Sequence, residues 1–122
     1  MSEILAPTML AIKREEMHER GGVNWLIDLF VSELPNYVKE LKLAIDINNG
    51  DELYLASHKF KGACSSMGAN DLVTTCKQLE LLGKDNNLTE ATAIIEEKIP
   101  KKIDLLIAAL AQEKLDHPED SS

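Results

Sequence analysis

Apolar residues recur every three or four positions along almost the whole chain, and no stretch alternates with a period of two. That spacing lines one stripe of an α-helix and cannot line one face of a strand, so the fold class is all-α. Glycines and asparagines divide the pattern into segments. Pro7 suits the first turn of a short helix that closes at Gly21-Gly22. Val23, Leu26, Ile27, Phe30, Leu34, Val38, Leu41 and Ile45 form the stripe of a second, long helix. Pro35 removes a backbone donor inside it and predicts a kink near Val31–Leu34.

Asn48-Asn49-Gly50 ends that helix, and Asp51 is placed to cap a third one running to Gly68. Ala69-Asn70-Asp71 supplies a turn and another capping signal before a fourth helix, which carries Leu72, Cys76 and Leu79 and stops between Gly83 and Asn87. Thr89 is placed to cap a fifth, with Ile95, Ile99, Ile103, Leu106 and Leu110 on one face and a kink expected at Pro100. Four long amphipathic helices joined by short turns pack most simply as an antiparallel up-down-up-down four-helix bundle, with the short N-terminal helix across one end. This domain is expected over residues 1–111. The tail 112–122, QEKLDHPEDSS, loses the periodicity and reads as disordered.

A chain of 122 residues buries roughly two thirds of its unfolded surface, enough for a core without a metal or disulfide staple. Cys64 and Cys76 lie within apolar helical patterns with no CxxC, so they read as reduced core thiols, with a disulfide or redox pair as the alternative. Acidic residues outnumber basic ones, 21 against 13, for a formal charge of −8. Such a surface repels nucleic acid and anionic lipid, so neither is expected as a partner. The opening MSEILAPTML lacks the basic run and apolar stretch of a signal peptide, and no apolar run is long enough to span a membrane. A cytoplasmic location is the expectation.

The informative segment is DELYLASHKFKGACSSMG. Advancing 100° per residue from His58 places Leu53, Ala56, Phe60, Ala63, Cys64 and Met67 between about 140° and 240°. His58 therefore points away from the core, sharing its face with Tyr54, Lys61, Gly62, Ser65 and Ala69. A solvent-facing imidazole offers a neutral nucleophilic nitrogen near pH 7. Lys61, one turn on, can reach anionic oxygens on a group attached to that ring. Gly62 leaves room beside it, at a cost to the helix of up to about 1 kcal/mol relative to alanine. An exposed histidine with a lysine at i+3 is common on helices, so this face alone does not establish a site.

His58-Lys59-Phe60-Lys61-Gly62 resembles the H-x-x-K-G signature of histidine-containing phosphotransfer (HPt) domains of two-component phosphorelays. The resemblance continues in register through Gly68, Leu72, Cys76, Leu79-Glu80 and Gly83, and upstream through Phe30, Leu34, Leu41 and Asp51, covering roughly residues 8–110. It implies that His58 is the phosphoacceptor, attacking through Nε2, that Lys61 stabilises the phosphoryl oxygens with Lys59 as a nearby helper, and that Gly62 opens the face for docking. Glu80 holds the position from which the family's acid or amide reaches Nδ1 and orients the ring. As a plain helix residue, Glu80 would instead sit beside Lys77 and Lys84. Ser65 and Tyr54 read as docking contacts or surface residues. Ser57 departs from the alanine usual in the family.

The implied function is a phosphoryl carrier between aspartates of receiver domains, on response regulators or hybrid sensor kinases. The expectation is a monomer without cofactor or metal that is not an ATP-dependent kinase. The initial Met and ragged tail favour a free-standing protein over a fragment of a hybrid kinase. The alternative is a helical adapter that binds receivers without carrying phosphate, against which His58 and Lys61 argue. Glu15-x-x-His18 matches half of a bundle di-iron motif, but no second pair is present, so His18 and His117 read as surface histidines. HExxH, Walker A and GxGxxG patterns are absent.

Overall fold

The computed structural model describes residues 3–17 and 22–118. All regular structure in them is helical: α1 (Pro7–Met17), α2 (Val23–Asp46), α3 (Gly50–Met67), α4 (Asn70–Lys84), α5 (Leu88–Ala93) and α6 (Ile99–Asp116), with a π-helical turn over Ile94–Lys98 joining the last two. Gly21 and His18 fall outside the described residues.

Contacts along the helices give the directions. Tyr37 stacks on Phe60 and Glu40 pairs with Lys59, so α2 and α3 run antiparallel. The start of α3 at Gly50 meets the end of α4 at Gly83. Lys102, halfway along the continuous helical run from Leu88 to Asp116 that begins beside the end of α4, pairs with Asp71 at the start of α4 (2.7 Å), and Asn24 at the start of α2 donates to the carbonyl of His117 just beyond α6 (2.9 Å). The four antiparallel neighbours enclose Leu34, Leu41, Leu53, Phe60, Leu72, Leu79, Ile99 and Leu106. The segment before α1 crosses the end of the bundle at the α3–α4 turn, where Ala6 N–H donates to the Gly68 carbonyl and Asp71 N–H to the Glu3 carbonyl (both 2.7 Å).

Helix ends follow side-chain and backbone chemistry, with corrections to the expected caps. Asn49 rather than Asp51 caps α3, its side chain accepting from Glu52 N–H, and Asn87 rather than Thr89 caps α5 in the same way through Glu90 N–H. Asp71 gives α4 no side-chain cap; its carboxylate is spent on Lys102. Gly68 takes the left-handed conformation (φ 76°) that ends α3. α2 runs unbroken through Pro35. At Pro100 the missing donor leaves the Glu96 carbonyl without its usual partner, and the chain widens into the π-turn, with Ile99 N–H bonded to the Ile94 carbonyl five residues back.

The tail also differs from expectation. Residues 112–116 continue α6, because Arg14 binds the Glu113 carboxylate (3.2 Å) and its backbone carbonyl, and also the Asn24 amide, tying α1, α2 and α6 together. Cys64 on α3 and Cys76 on α4 are free, fully buried thiols. Their mutual hydrogen bond, and then burial, push the Cys64 thiol far above its ordinary range, so it stays protonated. No helix among the described residues is long and apolar enough to cross a membrane.

Candidate functional site

α3 buries Leu53, Phe60, Cys64 and Met67 and turns the opposite side outward, as the 100° arithmetic requires. His58 stands on that outer side with its side chain 60% exposed. Its Nδ1 lies 3.0 Å from Oε2 of Glu80 on α4, and Lys61 Nζ lies 2.6 Å from Oε1 of the same carboxylate. One acid therefore serves the ring with one oxygen and the ammonium with the other. Glu80 is buried, with its side chain 10% exposed, and engages neither Lys77 nor Lys84 as a solvated helix residue would.

The electrostatics fix the proton. Burial pulls the Glu80 carboxyl upward, but the hydrogen bonds from Lys61 and His58 and the charge of Lys61 more than offset it, holding the acid below the ordinary carboxylate range. An ionised carboxylate only accepts hydrogen bonds, so Nδ1 must be the nitrogen that donates. In the neutral ring that leaves the lone pair on Nε2, which has no hydrogen-bond partner among the described residues and faces solvent.

Other residues of the expected site fall variously. Gly62 is open: a Cβ added there meets nothing within 4 Å. Ser65 is exposed on the same face. Ala69, assigned to that face, lies beyond the end of α3 and is buried. Lys59 needs a larger correction. It leans towards α2, where its ammonium binds Glu40 at 2.9 Å and lies 6.0 Å from the Tyr37 ring, and the Glu40 hydrogen bond raises its pKa. At 100° round the helix from His58 it faces a different neighbour.

Two features escaped the sequence. Tyr54 stacks on the imidazole, with ring centroids 5.9 Å apart and planes 15° apart, and Lys84 Nζ lies 5.0 Å from the Tyr54 ring centroid. The i−4 spacing from His58 was the available signal; the α4 partner was not. Ser57 is fully buried, and its hydroxyl has no hydrogen-bond partner among the described residues. Among the described residues no group of three or more His, Cys, Asp or Glu is arranged to hold a metal ion.

The family model for the Hpt domain matches residues 26–113. The crystal structure of histidine-containing phosphotransfer protein B (HptB) from Pseudomonas aeruginosa PAO1 superposes with a TM-score of 0.84 at 28% sequence identity, covering 95% of this chain and 98% of that one. No curated protein sequence matches the chain significantly. With the family match spanning the bundle and the site, the chain belongs to the Hpt domain family, whose role is histidine phosphotransfer in phosphorelays.

Proposed function

We propose that this chain is a phosphoryl carrier that takes the group from a receiver-domain aspartate onto Nε2 of His58 and passes it to the aspartate of another receiver. The observation that carries the reading is the carboxylate of Glu80 on Nδ1, which in the neutral ring leaves the lone pair on Nε2, on an exposed imidazole beside a cation and an open glycine. In the transfer, the Nε2 lone pair forms the N–P bond while the aspartyl O–P bond breaks and the receiver's carboxylate leaves with the electron pair. The imidazole then bears positive charge, which Glu80 balances through Nδ1–H. The reverse sequence discharges the carrier.

Lys61 begins the reaction bound to Glu80 but has three donor hydrogens, so it can keep that contact and turn another towards a phosphoryl oxygen. Glu80 thus positions both the nucleophile and the cation. The site residues of this chain supply no nucleotide-binding loop, so the group arrives already activated on a partner. Incubation with a panel of phosphorylated receivers tests the reading. Label should appear on the wild-type chain and move on to a second, unlabelled receiver, while His58→Gln, with unchanged helical circular dichroism, takes none. Receivers that bind the chain without transferring label would make it an adapter and overturn the proposal.

A further inference from the structure

We infer that Tyr54 is a positioning residue for the phosphoryl acceptor, holding the plane of the His58 ring that Glu80 leaves free to turn; this rests on the reading of His58 above. The inference starts from the backbone. A Cβ on Gly83 would come 2.7 Å from the Gly50 carbonyl oxygen and 2.9 Å from the Tyr54 nitrogen, so only paired glycines let α3 and α4 approach this closely. That approach sets the backbone of Tyr54 directly against the last turn of α4. Its ring is carried to where Lys84, the final residue of α4, lies over it.

The other side of the argument is the imidazole. A ring 60% exposed, with one hydrogen bond at Nδ1 beyond its own bond to Cβ, can still pivot about χ1 and χ2 within the slack of that hydrogen bond. Such a pivot sweeps Nε2 through an arc and spoils the in-line approach that phosphoryl transfer needs. The Tyr54 ring, stacked at 5.9 Å and 15° from parallel, blocks that motion over one ring face. Glu80 fixes one point of the ring and Tyr54 fixes its plane. Tyr54 touches neither the transferring group nor the bond that forms.

The test uses the full chain and single-turnover transfer from a phosphorylated receiver at increasing receiver concentration. Tyr54→Leu and Tyr54→Met should lower the saturating rate by about three- to tenfold, the scale of restoring freedom to one torsion. The half-saturating concentration should stay unchanged, and Tyr54→Phe should recover most of the rate because the ring is kept. In NMR spectra, the ring current of Tyr54 should shift the His58 Cε1 proton in the wild type and in Tyr54→Phe, with the shift lost in the aliphatic variants. Circular dichroism of each variant reports folding, and Met keeps apolar bulk should Leu fail to fold. A wild-type rate with an unmoved His58 resonance in both aliphatic variants overturns the inference. So does a change confined to half-saturation, which would make Tyr54 a docking contact, or a Tyr54→Phe as slow as Tyr54→Leu. Failure of the wild type to accept label from any receiver would count against the carrier reading, while the NMR shifts still decide the positioning.

Discussion

Replacing glycine by alanine at two helical positions of this fold should produce opposite changes in stability. At Gly62 the added methyl meets nothing within 4 Å. The substitution there removes only the backbone entropy cost of glycine, worth up to about 1 kcal/mol, or about 4 °C in Tm for a domain of this size. At Gly83 the same methyl would lie 2.7 Å from the Gly50 carbonyl oxygen, 2.9 Å from the Tyr54 nitrogen and 3.3 Å from the Tyr54 Cα. These are backbone atoms that cannot swing aside, so α3 and α4 must separate. Overpacking of this kind costs about 1–3 kcal/mol; the gain in helix propensity offsets up to about 1 kcal/mol of it, leaving a net loss of up to about 2 kcal/mol. Urea unfolding followed by circular dichroism measures both variants directly. Phosphotransfer adds a second axis: Gly62→Ala, and more so Gly62→Gln, should slow transfer despite equal or greater stability, because the new side chain projects beside His58. If Gly83→Ala were as stabilising as Gly62→Ala, the close approach of α3 and α4 would be refuted. Melting of the domain by Gly62→Gln would refute the open face.

Ser57→Ala should raise stability by about 1 kcal/mol, since it removes a buried hydroxyl with no partner among the described residues and improves helix propensity; thermal melting checks it. Lys61→Ala should slow phosphotransfer, with partial recovery in Lys61→Arg; a wild-type rate in the alanine variant would remove Lys61 from the chemistry. Glu80 contributes a pH-dependent increment. Because its folded pKa is lowered, the stabilisation relative to Glu80→Gln is fully present above the ordinary value of 4.5 and is lost as pH falls through the lower folded value. Unfolding of both proteins between pH 7 and pH 3 would show a difference that shrinks on acidification, whereas a difference growing as pH falls would reverse the assigned direction.

The helical class and the outward placement of His58 were legible because both follow from residue spacing on a single helix. Helix caps were less so. Asn49 and Asp51, or Asn87 and Thr89, are equally able to accept from a free backbone N–H, and which one does depends on where the preceding turn leaves the chain. The helical continuation past Gln112 is held by Arg14 from the far end of the sequence, a contact no local pattern reveals. His58, Lys61 and Gly62 share one face of α3, which angle alone shows, while their reading as a site came from the H-x-x-K-G resemblance. Glu80 needed the register of a second helix, and its simultaneous hold on Lys61 emerged only in three dimensions. Lys59 shows the limit of proximity in sequence: adjacent to His58 in the chain, it answers to Glu40 on the opposite neighbour. Tyr54 lay on the correct face, but its importance depends on the glycine contact that draws α3 and α4 together.

The central claim is that Glu80 holds the proton on Nδ1 and so leaves Nε2 of His58 as the acceptor. Phosphorus–proton correlation NMR on the chain charged by a phosphorylated receiver tests this most directly. The account predicts a single phosphoramidate, with phosphorus coupled to the ring protons of His58 in the pattern of an Nε2 adduct, labile in acid and stable in alkali. Phosphorus on Nδ1 of His58, on His18 or His117, or on a serine would contradict it.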